Sequence, residues 1–390
     1  MPPVVGISGS YGGLNVGDEA ILSSAIRQLR TACPSVEIVA FSRDAEHTRR
    51  HQDVDRALNA RTALRDQILP EVGRLDLLLL GGGGILYDSE AQAYLREVRL
   101  AHELGIPTFA FAVGIGPLKE RDERRAVRDG LNRMAGITVR EVTAKRLCEE
   151  IGVRVPVEVT ADPALLLEPL AFTDAMLQAE AIPSDRRLVG LSVREPGAAA
   201  PGLAPGAYHA LVADAADFMA DRFDADVVFV PMERVDRNES HQVIARMRRP
   251  ERAHVLRRAY DPRQIMGLVG RFQAVAGMRL HVLIFAAVMG VPFMALPYAA
   301  KVQDLVDSLG IAEHMAAGDA RTGAFLAALD RLWDQQDIQR RHLAGRLPDL
   351  QALARRTVPL ALACIGQGPG GDAAPPPRTG EDLANPPIAF

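Results

Sequence analysis

The run Leu75-Asp76-Leu77-Leu78-Leu79-Leu80 is apolar at all but one position and leads straight into Gly81-Gly82-Gly83-Gly84. A strand with one face in water alternates apolar and polar residues, so an unbroken run suits a strand covered on both faces, as in a parallel sheet. The same rhythm of short Val/Ile/Leu-rich run, turn and longer mixed segment recurs through the first half of the chain. Strands are expected at Val4–Ser8, Val36–Phe41, Leu75–Leu80, Thr108–Ala112 and Gly136–Val139. Helices are expected at Asp18–Ala32, about Asp88–Leu104, Glu120–Met134 and Thr143–Ile151. Strand and helix in alternation build a doubly wound α/β domain.

The pattern weakens between Leu167 and Arg187 and then restarts at Leu188–Val193, with further strands to Val291–Leu296 and a helix from Arg279 to Met289. At 390 residues the chain is too long for one ordinary core. The expected division is therefore an N-terminal Rossmann-like domain over 1–170, a linker over 171–187, and a second Rossmann-like domain over 188–345. A C-terminal helix over 346–365 follows, and a disordered tail over 366–390. The segment Ala317–Leu362 reads as mostly helical with interruptions near Pro348 and Pro359. The tail, with Gly368-Pro369-Gly370-Gly371 and Pro375-Pro376-Pro377, has almost no apolar face to bury.

A hydrophobic fraction of 48% with 24% charged residues describes a core-forming chain, and the net charge of −4 argues against general affinity for nucleic acid. Cys33, Cys148 and Cys364 are far apart and read as reduced thiols. No basic segment precedes the first apolar run, and no stretch reaches the roughly 18 to 20 apolar residues of a membrane helix. A soluble cytoplasmic protein without an integral membrane segment is expected, which leaves peripheral association with a membrane open.

Chemistry is expected in the loops after the strands, the edge at which doubly wound sheets bind ligands. Glycine-rich turns are read at Gly9 to Glu19, at Gly81–Gly84, and at Gly114-Ile115-Gly116-Pro117, with Arg140-Glu141 after Val139. None is a dinucleotide fingerprint or a phosphate loop, and Gly190-Leu191-Ser192-Val193-Arg194 is not a nucleophile elbow. The nine histidines and three cysteines show no metal-ligand spacing. No metal and no cofactor are expected.

What remains is a set of cations beside turns: Arg140, Arg194, Arg279, His281 and Lys301. Singly, each is an ordinary surface or capping residue. Together in two facing domains they describe a site for a small anion. Gly277-Met278-Arg279-Leu280-His281, between an apolar strand and an apolar helix, places a fixed cation and an imidazole at a helix N-terminus.

With these residues assembled, the chain resembles the polysaccharide pyruvyl transferase family across roughly residues 4–310. The resemblance is carried by Tyr11-Gly12-Gly13-Leu14-Asn15-Val16-Gly17-Asp18-Glu19, Leu80-Gly81-Gly82-Gly83-Gly84, Val113-Gly114-Ile115-Gly116-Pro117, Val139-Arg140-Glu141, Ala161-Asp162-Pro163-Ala164, Val189 to Arg194, Gly277 to His281, and Pro297 to Val302. It implies two Rossmann-like domains facing across a cleft, similar to GT-B glycosyltransferases. It also implies transfer of a pyruvyl group from phosphoenolpyruvate, as co-substrate, to two hydroxyls of a sugar acceptor, leaving a cyclic ketal and phosphate. By matching positions, Arg140, Arg279, Leu280 and His281 would contact the donor, with Lys301 nearby.

On this reading His281 is the residue able to act as acid and base near pH 7, and Arg279 and Arg140 clamp the anion. Asn15, Asp18, Gly82 and Gly83 are assigned to the acceptor, whether lipid-linked, nucleotide-linked or part of a glycan. A GT-B glycosyltransferase or sugar-nucleotide epimerase, and a non-enzymatic sensor of small anions or glycans, remain alternatives.

Overall fold

The computed structural model describes residues 2–13, 15–195, 197, 204–296, 299–311 and 322–366. The first lobe holds β1 (Val4–Ser8), β2 (Glu37–Ser42), β3 (Arg56–Asn59), β4 (Leu77–Leu86), β5 (Thr108–Ile115), β6 (Gly136–Val139) and β7 (Val157–Val159). Between them run α1 (Val16–Ala32), α2 (Ala45–His51), α3 (Arg65–Val72), α4 (Ala91–Glu103), α5 (Arg121–Leu131) and α6 (Val142–Ile151). The strands form one parallel sheet in the order β3-β2-β1-β4-β5-β6-β7. The leucine run explains itself here. Leu77 and Leu79 join the core under α1, whereas Leu78 and Leu80 join the core under α4 and α5. Successive side chains point to opposite faces, and both faces are covered.

Gly81–Gly84 is not a turn. β4 continues through it to Leu86, paired with β5 across a register shift between Gly84 and Leu86, and β5 itself runs through Gly114 to Ile115. Small residues are needed because neighbours lie directly on the strand. A Cβ on Gly81 would stand 2.3 Å from the Tyr11 hydroxyl, and one on Gly82 2.2 Å from Ile21 Cγ2. The short strands β3 and β7 and the helices α2 and α3, absent from the sequence expectation, are too brief for a periodic signal.

The stretch read as a linker carries α7 (Asp174–Ala179), and its Phe172, Leu177 and Ile182 are buried in the core of the second lobe. That lobe has β8 (Arg187–Ser192), β9 (Ala225–Phe229), β10 (Ala253–Val255), β11 (Val275–Gly277) and β12 (Phe293–Ala295). They form a parallel sheet in the order β10-β9-β8-β11-β12. Its helices are α8 (Pro205–Arg222), α9 (Arg234–Ile244), α10 (Pro262–Val269), α11 (Leu280–Val288) and α12 (Ala300–Leu309).

The chain then forms α13 (Thr322–Asp334), α14 (Gln336–Arg355) and α15 (Thr357–Leu362). Pro348 was expected to interrupt this region, but α14 runs through it and the helix breaks at Arg356. Leu343, Leu350 and Ala354 are buried on either side of the proline, and that packing outweighs the lost backbone bond. α15 returns to the first lobe, where Val358, Ala361 and Cys364 pack with Phe109 and Phe111. The tail expected from residue 366 lies, past Gly366, outside the described residues.

The lobes are also joined at the start of α1. Ala20 and Ile21 belong to the core of the second lobe, and Val16 N donates to Met232 O at 2.9 Å. The N-terminus of α1 is therefore held at the junction.

Inside the first lobe, His102 on α4 is buried and hydrogen-bonded to Thr108 Oγ1 at 2.8 Å, and burial pushes its pKa down to about 4. The unfolded chain then binds more protons than the folded one between about pH 6.5 and 4, so stability falls with acidification across that window. His102→Gln is expected to lose less melting temperature than the unaltered protein between pH 7 and pH 4.5. Equal losses in thermal melts would place the acid sensitivity elsewhere.

Candidate functional site

The site is assembled around the first turn of α1. Asn15 caps the helix, its Oδ1 accepting from Gly17 N at 2.7 Å and Asp18 N at 3.3 Å. Glu19 ties down the glycine loop before it, with Oε1 accepting from Gly12 N at 2.8 Å and Gly13 N at 2.9 Å, and Oε2 from Gln52 Nε2 at 2.9 Å. Gly17 must be glycine because the His281 ring lies against it. A Cβ there would sit 1.9 Å from His281 Nδ1. Thus the first turn of α1 in one lobe packs directly on the N-terminus of α11 in the other.

His281 opens into this junction from the first turn of α11. Its side chain is 11% exposed, and Nε2 lies 3.3 Å from Asp162 Oδ2, near enough to form an ion pair when protonated. Nε2 is shut off from solvent and has no aligned hydrogen-bond partner. Asp162 also accepts from Arg140 Nη1 at 2.7 Å, while Arg140 Nε donates to Glu141 Oε2 at 2.8 Å. Burial raises the Asp162 carboxyl, but His281 and Arg140 outweigh it and hold the group well below the usual carboxylate range. Burial raises Glu141, only partly offset by Arg140.

The remaining guanidinium nitrogen of Arg140, Nη2, faces β4. A Cβ on Gly84 would be 3.6 Å from it and 3.8 Å from Lys301 Nζ, so the two cationic ends look at each other across one glycine. Among the described residues neither Arg140 Nη2 nor Lys301 Nζ has a hydrogen-bond partner. Asp18 stands beside them, Oδ1 being 2.9 Å from where a Cβ on Gly83 would lie, at a backbone φ of +86°. Burial raises the Asp18 carboxyl pKa, opposed by His281, Lys301 and Arg140 in that order.

Arg279 does not turn towards these groups. It is 7% exposed, donates from Nε to Asp236 Oδ2 at 3.0 Å and from Nη1 to Glu233 Oε1 at 2.9 Å, and pairs through Nη2 with Asp236 Oδ1. Glu233 Oε1 in turn accepts from Asn15 Nδ2 at 2.5 Å. Leu280 is buried in the second core, and Gly82 lies under Ile21. Arg194 follows β8 and lies near Glu233. Of the residues expected at the site, Asp18, Arg140, His281 and Lys301 are brought together around Gly83 and Gly84. Asn15 and Arg279 meet instead at Glu233.

Three partners escaped sequence reasoning. Asp162 stood inside a recognised motif, and its acidic side chain before a proline was the available signal. Glu233 and Asp236 had none, because nothing local links them to an arginine 46 and 43 residues on.

Two parallel sheets of this strand order, facing across a shared site and tied by a returning C-terminal helix, define the GT-B-like class. UDP-GlcNAc 2-epimerase from Neisseria meningitidis, solved with UDP-GlcNAc, is similar at a TM-score of 0.61 and 12% identity, covering 93% of this chain and all of that one (100%). ADP-heptose lps heptosyltransferase II of E. coli is similar at 0.53 and 14%, covering 86% and 99%. At such identities the likeness shows the fold. The chain belongs to the polysaccharide pyruvyl transferase family, whose model matches residues 15–299, and it is therefore a transferase. Lys301 lies just past the matched stretch. None of the curated proteins matches the chain in sequence. Among the described residues no helix is long and apolar enough to cross a membrane.

Proposed function

We propose that the enzyme transfers the pyruvyl group of phosphoenolpyruvate to two hydroxyls of one sugar, forming a cyclic ketal and releasing phosphate. The observation that carries this reading is the pair of open nitrogens, Arg140 Nη2 and Lys301 Nζ, facing each other over Gly84 beside His281 and Asp18. Phosphoenolpyruvate carries two anionic groups on one small carbon frame, and two cations set across a glycine suit it.

In the reaction the enol methylene gains a proton while the first sugar hydroxyl bonds to C2. The C2–O bond to phosphate then breaks, and the second hydroxyl closes the ketal. One hydroxyl proton is balanced by the new methyl C–H, and the other leaves with phosphate. His281 is the proton donor and acceptor, with Asp162 Oδ2 3.3 Å from its Nε2. Asp18 orients the attacking hydroxyl, and burial, which raises its pKa, suits it to share a proton. Arg140 and Lys301 supply the positive charge, so the scheme requires no metal.

Phosphate release from phosphoenolpyruvate, assayed with a panel of pyranosides and sugar phosphates, is the direct test, with the ketal expected as a sugar product in which one carboxyethylidene unit has replaced two hydroxyl hydrogens. Lys301→Gln is expected to raise the Kd for phosphoenolpyruvate about tenfold or more, the scale of one charge-assisted contact. Unchanged donor affinity in that variant, or release of nucleotide and not phosphate from any donor, would overturn the reading.

A further inference from the structure

The two open cations are delivered by different lobes, and the helices that carry them meet. Arg140 and Glu141 stand immediately before α6 in the first lobe, whereas Lys301 lies in the first turn of α12 in the second. Glu141, the residue leading into α6, gives that helix no side-chain cap. The first turn of α6 is served from the other lobe. Thr143 Oγ1 donates to Asp304 Oδ2, and the Thr143 backbone N–H also stabilises the Asp304 carboxylate. Arg146, three residues further along α6, attracts the same carboxylate. Asp304 follows Lys301 by three residues and so shares its face of α12.

Lys301 Nζ and Arg140 Nη2 face each other over Gly84, and two like charges with no anion between them repel. Glu141 and Asp162 hold the arginine in place. Lys301 has no such tether among the described residues, so its position follows from where α12 sits. On the α1 side the lobes are joined through Asn15 and Glu233 and through Val16 N and Met232 O, contacts that fix α1 against α9 and leave α12 untouched. The contact between Thr143 and Asp304 is therefore the one that offsets the repulsion at the helix carrying the ammonium.

We propose that Thr143 and Asp304 are positioning residues for the donor: their hydrogen bond docks α12 on α6 and so sets the Lys301 ammonium opposite Arg140, at a spacing that one small dianion bridges. The identity of that donor rests on the pyruvyl-transfer reading, whereas the docking of α12 on α6 does not. Without the contact the repelling cations part, the arrangement able to bind is populated less, and the apparent affinity falls in proportion.

The test is calorimetric titration of the full-length protein, Thr143→Val, Thr143→Ser, Asp304→Ala, Lys301→Gln and the double variant Thr143→Val with Lys301→Gln. Phosphoenolpyruvate is the probe in one arm and inorganic phosphate in the other. Thr143→Val keeps the shape and loses the hydroxyl, and it is expected to bind phosphoenolpyruvate about tenfold more weakly, the scale of one charge-assisted hydrogen bond. Thr143→Ser is expected to bind as the unaltered protein does. In turnover the KM for phosphoenolpyruvate is expected to rise in Thr143→Val by a larger factor than kcat falls. In the Lys301→Gln background Thr143→Val is expected to change affinity less than about twofold, since no ammonium is left to place. Should Thr143→Val fail to fold, Asp304→Ala removes the same contact from the other side and is expected to weaken binding likewise.

Unchanged affinity in both Thr143→Val and Asp304→Ala, an equal loss with and without Lys301, or no recovery in Thr143→Ser would overturn the positioning role and leave the pyruvyl reading standing. Phosphate binding that depends on Thr143 in a protein with no affinity for phosphoenolpyruvate would sink the pyruvyl reading and leave the positioning role. Absence of binding by either anion at millimolar concentration would overturn both.

Discussion

Replacing His281 with glutamine is expected to lower kcat for pyruvyl transfer by about 10²- to 10⁴-fold, the usual scale of general acid-base catalysis, with little change in the Kd for phosphoenolpyruvate. Glutamine keeps some hydrogen-bonding capacity but cannot carry a proton near neutral pH. The ring is well placed for the task. Its Nδ1 edge rests on Gly17 and its Nε2 lies 3.3 Å from the Asp162 carboxylate, which is itself held charged by Arg140. Asp162→Asn removes that charge while keeping the shape, so it is expected to lower kcat in the same direction as the histidine change and to shift the pH profile. A His281→Gln enzyme with normal kcat and only a raised KM for phosphoenolpyruvate would make His281 a binding residue and move the proton chemistry to Asp18.

Arg279→Met is expected to destabilise the protein by about 3 to 5 kcal/mol, because it strips the partner from a buried carboxylate. Asp236 has no exposed surface, and two guanidinium nitrogens of Arg279 are bound to it. The third holds Glu233, and through it the Asn15 cap of α1. Loss of Arg279 therefore also loosens the strap that sets Gly17 against His281. Asp236 Oδ2 additionally accepts from Met232 N and Glu233 N at the start of α9, a role that asparagine can retain. The double variant Arg279→Met with Asp236→Asn is thus expected to regain most of the lost stability, measured as the urea midpoint at unchanged slope. If Arg279→Met melts like the unaltered protein and instead raises the KM for phosphoenolpyruvate, the guanidinium leaves its carboxylates to hold the donor during turnover.

The sequence pattern at Arg279 and His281 points to one anion site on one helix turn, and the two side chains in fact turn to different partners. Both lie at the N-terminus of α11, but Arg279 turns to α9 while His281 faces α1 and Asp162. Spacing along a chain tells which residues share a turn. It does not tell which neighbouring lobe offers a carboxylate, and a buried guanidinium goes to the carboxylate because an unpaired charge there is costly.

The same limit explains the glycines. Gly81–Gly84 reads locally as a turn, since glycine is a poor strand former. The structure keeps it in β4 because Tyr11, Ile21 and Asp18 press on it from the neighbouring loop and helix.

By itself the sequence determined the class of fold, since the unbroken apolar run Leu77–Leu80 can be buried only between two layers of helices, and its alternate leucines do divide between them. It also determined the set of motifs that place the chain in its family, whose model spans 15–299. Only the tertiary structure decided which charges remain available for a ligand. Arg140 and Lys301 keep nitrogens open over Gly84, and Arg279 does not, because carboxylates 43 and 46 residues away reach it first. Such pairings depend on how two lobes meet, and local periodicity carries no record of that.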